Sequence, residues 1–165
     1  MSELITEVDK QNKIIGKGKP SSFFATNKIH RSSNLLLFDE LGRLLLQKRS
    51  KNKILYPGMY SFSVSGAVNW KETHKRTIIR EMKEEIGIQI NCRPLFTYRF
   101  FDVFDKSFAI LFIGHYQGKL TINKEEVDSV KWMTMNSIKK DLLERPLRYS
   151  PVFFYAMRKY LEQIA

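Results

Sequence analysis

Three glutamates in the segment GAVNWKETHKRTIIREMKEEIGI, which runs from Gly66 to Ile88, stand at spacings that could do chemistry. Glu81, Glu84 and Glu85 fall at i, i+3 and i+4, so at about 100° per residue they share one face of a helix. Ile78, Met82 and Ile86 occupy a neighbouring arc that can be buried. Like charges gathered in this way repel and raise one another's pKa unless a cation sits among them. Oxygen-only ligands favour hard divalent ions, so Mg²⁺ or Mn²⁺ is the expected occupant. The ordinary use of such residues is different: an exposed helix whose acids pair with Lys75, Arg76, Arg80 or Lys83. Spacing by itself leaves both readings open.

The full pattern separates them. Gly66 is followed after five residues by Glu72 and after seven more by Arg80-Glu81; Met82, Glu84-Glu85, Gly87 and Ile88 then complete a fixed frame. This segment resembles the Nudix box at every fixed position. The resemblance implies a Nudix-type α/β/α sandwich and metal-dependent attack on a phosphoanhydride. It also implies that Glu81, Glu84 and Glu85 hold one or more divalent ions, with the Gly66 carbonyl as a further ligand. Glu72 and Arg80 would pair to brace the loop, and Glu84 or Glu85 could act as general base. In some members of the family a later loop supplies the base, and Glu125 and Glu126 are the candidates there. A solvated turn ahead of a strand explains these two acids equally well.

Outside the box the chain is similar to the Nudix branch that contains isopentenyl-diphosphate isomerase. The features that carry this are Glu7-Val8-Asp9, His30-Arg31, the run Leu44 to Ser50, and Pro57-Gly58. The isomerase reaction needs a cysteine just before the box glycine and a metal-binding histidine just after it. Here Ser65 and Ala67 stand at those places. A serine hydroxyl is a poor acid beside a thiol and alanine cannot ligate a metal, so hydrolysis is the expected reaction and isomerisation the alternative. A Nudix-fold module that binds a nucleotide without turnover is the third reading, and the intact set of acids counts against it. His30 matches a metal histidine of that branch, although a lone histidine is more often a capping or core residue. The resemblance leaves open whether the substrate is a nucleoside diphosphate-X or another small diphosphate.

The elements that must position these residues are legible as runs and breaks. Leu4 to Val8 and Lys13 to Gly16 read as a hairpin in an N-terminal extension of about 28 residues, and Leu35–Phe38 with Arg43–Lys48 as a stronger hairpin around Asp39-Glu40-Leu41-Gly42. A short strand is expected at Tyr60 to Val64, a helix from about Glu72 to Ile86, and strands at 88–90, 95–101, 108–116 and 129–134. Helices are expected near Ser137 to Leu143 and from Ser150, an N-cap followed by Pro151, through Leu161. The order predicts one α/β domain with helices covering a curved mixed sheet. Alternation through Phe96, Tyr98 and Phe100 suits a strand with one buried face. Lys48, Arg49 and Phe104 are the candidate substrate contacts, with Phe104 and Lys106 at a pocket mouth where a ring stacks and a cation meets phosphate. Tyr56, Tyr60 and Trp70 could pack or bind.

With 165 residues, 43% hydrophobic and 13% aromatic, the chain can bury a sizeable core, which excludes wholesale disorder and a disulfide-stapled scaffold. Cys92 is the one cysteine and reads as a small buried residue. No signal peptide or membrane span is visible, so a cytoplasmic protein is expected. The net charge of +11 suits anionic partners. Because the basic residues are spread and no basic stripe is interleaved with aromatics, nucleic acid is not expected. A small-molecule diphosphate is the expected partner, and a homodimer is compatible with the sequence.

Overall fold

The computed structural model describes residues 3–165. Its organising strand is β3 (Ile29–Phe38), whose run Leu35-Leu36-Leu37-Phe38 is wholly buried. Successive side chains of a strand point to opposite faces. Leu35 and Leu37 therefore pack with α1 (His74–Ile86), while Leu36 and Phe38 pack with α2 (Met135–Glu144) and α3 (Pro151–Ile164). A continuous apolar strand between two helical layers is the physical basis of the α/β/α sandwich, and it matches the expected fold.

Along one edge β3 runs parallel to β8 (Lys106–His115), which pairs in turn with β7 (Arg93–Phe101). Along the other edge it meets β6 (Val64–Ala67) and β1 (Ile5–Val8), and β1 carries β2 (Ile14–Gly18). The N-terminal hairpin is thus hydrogen-bonded into the main sheet, with Glu7 opposite His30. A second group, β4 (Leu44–Arg49), β5 (Tyr60–Ser61) and β9 (Val127–Met133), joins β3 through the Phe38–Leu44 pair alone.

The expected 35–48 hairpin therefore forms its turn and then opens. Gly42, at φ +73°, closes the turn with its N–H on the Asp39 carbonyl. Past that turn β3 and β4 separate, because each finds other partners. The gap is spanned by Ser63: its hydroxyl accepts from Leu37 N–H (2.9 Å) and donates to Leu45 O (2.6 Å). It replaces the strand partner that β3 loses where β6 ends its pairing at Leu35–Val64. This is also why the expected strand 60–64 is two short strands rather than one.

Two further expectations are corrected. Residues 88–90 form no strand: Ile88 N–H turns back to the Met82 carbonyl, and the side chain closes the core behind α1. The helix begins at His74, capped by the Thr73 side chain on Arg76 N–H, so Glu72 lies in the loop before it. Gly87 ends it in the left-handed region, where a Cβ would press on Thr121. Tyr98 and Phe100 are buried as expected, and so is Cys92, whose thiol pKa burial pushes up. Ser150 precedes α3 but caps nothing; its hydroxyl meets that of Ser61 at 2.9 Å. Among the described residues no helix is long and apolar enough to cross a membrane.

Ser63→Ala should leave the Leu37 N–H buried without its partner, at a cost of about 1–3 kcal/mol. Urea unfolding should show a lower midpoint at an unchanged slope. An unchanged midpoint would mean that the hydroxyl does not tie the two strand groups together.

Candidate active site

The three box glutamates differ sharply in exposure, and helix geometry explains the order. Glu85 lies seven residues after Ile78, only about 20° from it around the axis, so it borders the apolar arc and is buried. Glu81 lies further round and its side chain is 15% exposed, while Glu84, furthest from the apolar arc, is 49% exposed. The buried Glu85 carboxylate accepts from the Ser65 N–H at 3.0 Å and from Gln47 Nε2 at 3.3 Å. Gln47 is the polar residue of β4 that shares a face with Leu45, so the strand delivers an amide to the acid.

Arg80 and Glu72 form the expected brace. Arg80 Nε and Nη2 donate to the two Glu72 oxygens at 2.9 and 3.0 Å, a planar fork on a carboxylate. Thr77 and the Asn69 N–H also donate to Glu72. Burial alone would raise the Glu72 pKa, but these donors outweigh it and hold it below the ordinary range. Arg80 does more than the expected bracing: its Nη1 reaches Glu81 at 2.7 Å and Glu84 at 3.2 Å. Gly66 lies against the same cluster, and a Cβ there would collide with the Glu81 carboxylate.

Burial, and then repulsion from Glu85, push the Glu81 carboxyl up to about 8; burial also raises Glu85. A helix that forces two carboxylates together away from water fits a divalent cation in kind, because the donors are all oxygen. The arrangement is not a closed cage. Among the described residues no three acidic, histidine or cysteine side chains converge enough to enclose an ion, and Glu84 is turned towards Arg80. Glu81, Glu84, Glu85 and Gly66 all line one cleft of about 440 Å³.

Basic residues line the same cleft. Arg49, a candidate substrate contact, is among them, and Lys53 pairs there with Glu126. His30 Nε2 lies 2.7 Å from Asp105 and its Nδ1 lies 3.1 Å from the Arg31 carbonyl. When the ring is protonated, both nitrogens donate to these partners. Burial opposes that charge, but Asp105 outweighs it and the histidine pKa is raised. Tyr56 also lines the cleft, donating its hydroxyl to Asp102 at 2.8 Å.

Other candidates are not brought to this cleft. Lys48 follows Gln47 on β4 and so faces the other side; it borders neither the cleft nor the lobe beside it. Phe104 stacks on Phe24 at 5.8 Å instead of lining the cleft, and Lys106 donates to the Thr26 carbonyl. Trp70 lies under Lys17 and Tyr60 under Lys131. Glu126 reaches the cleft but Glu125 does not. The sequence alone did not point to Gln47, Lys53 or Asp105. Gln47 left one signal, a polar residue at an inward position of an apolar strand.

A NUDIX domain family model matches residues 28–153. The chain belongs to the Nudix family. It is 33% identical over 152 residues to a prenyl-diphosphate phosphatase of Methanosarcina mazei, covering 90% of this chain and 89% of that one. It is 31% identical over 157 residues to an isopentenyl-diphosphate Delta-isomerase of Salmonella paratyphi B, covering 90% and 87%. A crystal structure of a Deinococcus radiodurans protein shares the fold at a TM-score of 0.73 and 21% identity, over 87% of this chain and 90% of that one. A pyrophosphohydrolase follows from membership of the Nudix family together with the phosphatase relative.

The raised carboxyls give this Nudix site a pH signature. A carboxyl whose pKa is raised on folding keeps its proton after the unfolded chain has lost it. Its contribution is therefore full below the ordinary value near 4.5 and falls as pH rises through the raised value, about 8 for Glu81. The His30 contribution has the same sign: full below 6.5 and lost as pH rises through its raised value. The metal-free melting temperature should fall between about pH 5 and about pH 8, and Mn²⁺ should raise it more at the upper end. Glu81→Gln should flatten both trends. Equal Mn²⁺ effects at both pH values would contradict the repulsion between these acids.

Proposed function

We propose that this Nudix protein hydrolyses the diphosphate linkage of a prenyl diphosphate in a reaction dependent on Mg²⁺ or Mn²⁺. The observation that carries the reading is one cleft lined both by the acids Glu81, Glu84 and Glu85 and by the cations Arg49 and Lys53. Nudix hydrolases as a family use divalent cations. Glu81, Glu84, Glu85 and the Gly66 carbonyl are the groups we assign to hold the ion. A divalent ion bound there neutralises diphosphate oxygens and lowers the pKa of a coordinated water.

The chain's own residues supply the rest. Arg49 and Lys53 offer cations to the diphosphate in the cleft that the acids line. Glu84, the most exposed of the three acids, is open to an incoming water and can take its proton. Arg80, through Glu72, Glu81 and Glu84, fixes the loop and the helix in one relative position. Water adds to phosphorus and the bond to the bridging oxygen breaks. The products are a prenyl monophosphate and inorganic phosphate.

The prenyl class is supported by the phosphatase relative and by the exposed apolar side chains Phe24 and Ile54 in the lobe beside the cleft. Hydrolysis is favoured over isomerisation because Ser65 and Ala67 both line the cleft where the isomerase needs a thiol acid and a metal histidine. Phosphate release from prenyl diphosphates with Mg²⁺ or Mn²⁺ should be robust in the wild type. It should fall by about two orders of magnitude or more in Glu85→Gln. Arg80→Lys keeps the charge but loses the fork, and should lower kcat by about a hundredfold while KM changes little. Deuterium exchange into isopentenyl diphosphate without phosphate release would instead identify an isomerase. Turnover unaffected by Glu85→Gln would remove the acid cluster from the chemistry.

A further inference from the structure

The cleft has a second lobe of about 410 Å³. The two share apolar residues, Ile5, Pro20, Leu55 and Ala67, and charged or polar ones, His30, Arg49, Lys53, Asp105 and Glu126, and the lobe lacks the box acids. Of the residues that line this lobe and not the cleft, Phe23, Phe24 and Ile54 are apolar, and Asn52 and Glu125 are polar. Its rim carries large apolar side chains that folding leaves in water: Ile54 is 62% exposed and Phe24 37%. Phe104, 48% exposed, stacks on Phe24, and the two loops are tied by the Ala25 N–H on the Phe104 carbonyl at 3.0 Å. Exposed aromatic and aliphatic side chains gathered at one mouth mark a surface that expects an apolar partner.

We infer that this lobe holds the hydrocarbon tail of the substrate and that Phe24 and Ile54 determine its chain-length specificity. The inference rests on the prenyl diphosphate reading above and adds which residues read the tail. Arg49 and Lys53 stand where cleft and lobe meet, so a diphosphate held by them sends its ester-linked group into the lobe. Ile5, Pro20, Phe23, Phe24, Ile54 and Leu55 offer no side-chain hydrogen bonds. An isoprenoid set against these side chains has no polar edge to leave unpaired. Size sets a limit. A dry cavity of about 150 Å³ accommodates the six carbons of benzene, so a lobe of this volume has room for roughly fifteen carbons. The N-terminal extension has a role here, since Ile5, Pro20, Phe23 and Phe24 precede residue 28, where the Nudix match begins.

The test compares the fifteen-carbon farnesyl diphosphate with the five-carbon isopentenyl diphosphate. The wild type should have the lower KM for the longer chain. Ile54→Asp and Phe24→Asp change side chains that are already exposed, so both variants should fold. Each should raise the farnesyl KM on the order of tenfold with kcat within about twofold, and shift the isopentenyl KM far less. Loss of binding to farnesyl monophosphate, followed by calorimetry, should parallel the change in KM. Hydrolysis of both substrates with the same KM in wild type and variants would overturn the tail site while leaving the prenyl reading intact. Hydrolysis of ADP-ribose to AMP and ribose 5-phosphate, with neither prenyl compound cleaved, would overturn both.

Discussion

A buried carboxylate sets the terms for this molecule. Glu85 is placed inside the wall of the sandwich by a helix whose neighbouring arc, Ile78, Met82 and Ile86, is fully buried. Its charge is costly there. The surrounding structure is arranged to accept it: Gln47 arrives from β4, the Ser65 N–H from β6, and Arg49 and Lys53 line the same cleft. Glu81 adds a second acid close by. The need for glycine at position 66 follows from that crowding, since any side chain there would strike Glu81. Arg80 ties the acid face to the loop through Glu72, so the helix cannot shift without moving the acids together.

The same crowding connects fold to chemistry. Strand β3 must be apolar on both faces to sit between helical layers, and it must part from β4 to leave room for the cleft. Ser63 keeps the parted strands satisfied. Arg49, at the end of β4, and Lys53, Leu55 and Tyr56 of the following loop line the cleft together with the acids. His30 and Asp105 line the same cleft, and their 2.7 Å contact holds the 102–105 turn against β3. Both imidazole nitrogens have partners, Asp105 and the Arg31 carbonyl, so this histidine ties β3 to the turn beside the cleft.

Much of the site was legible in the sequence because helix periodicity and box spacing are local. Those two regularities were enough to place Glu72 with Arg80, the three glutamates and the apolar arc beside them. What was not legible depends on strand parity and on contacts between distant segments. Lys48 and Arg49 look equivalent along the chain, yet alternation along β4 sends them to opposite faces and only Arg49 reaches the cleft. Phe104 reads as a pocket residue, but its partner Phe24 lies in a loop 80 positions earlier. Residues 88–90 have the composition of a strand, and it is the capping of α1 that turns their backbone elsewhere. Asp105 carried no signal at all, because its role depends on His30, 75 residues away.

Burial and mutual repulsion raise the carboxyl pKa of Glu81, and burial raises that of Glu85, so near neutral pH the pair holds part of a proton that a divalent cation would displace. Calorimetric titration of Mn²⁺ into the protein near neutral pH, repeated in buffers of different ionisation enthalpy, measures that displacement directly. Net proton release on binding is the predicted result, reduced in Glu81→Gln. Binding of Mn²⁺ with no proton release in any buffer would show that the acids are already ionised, and that their crowding is not what prepares the site.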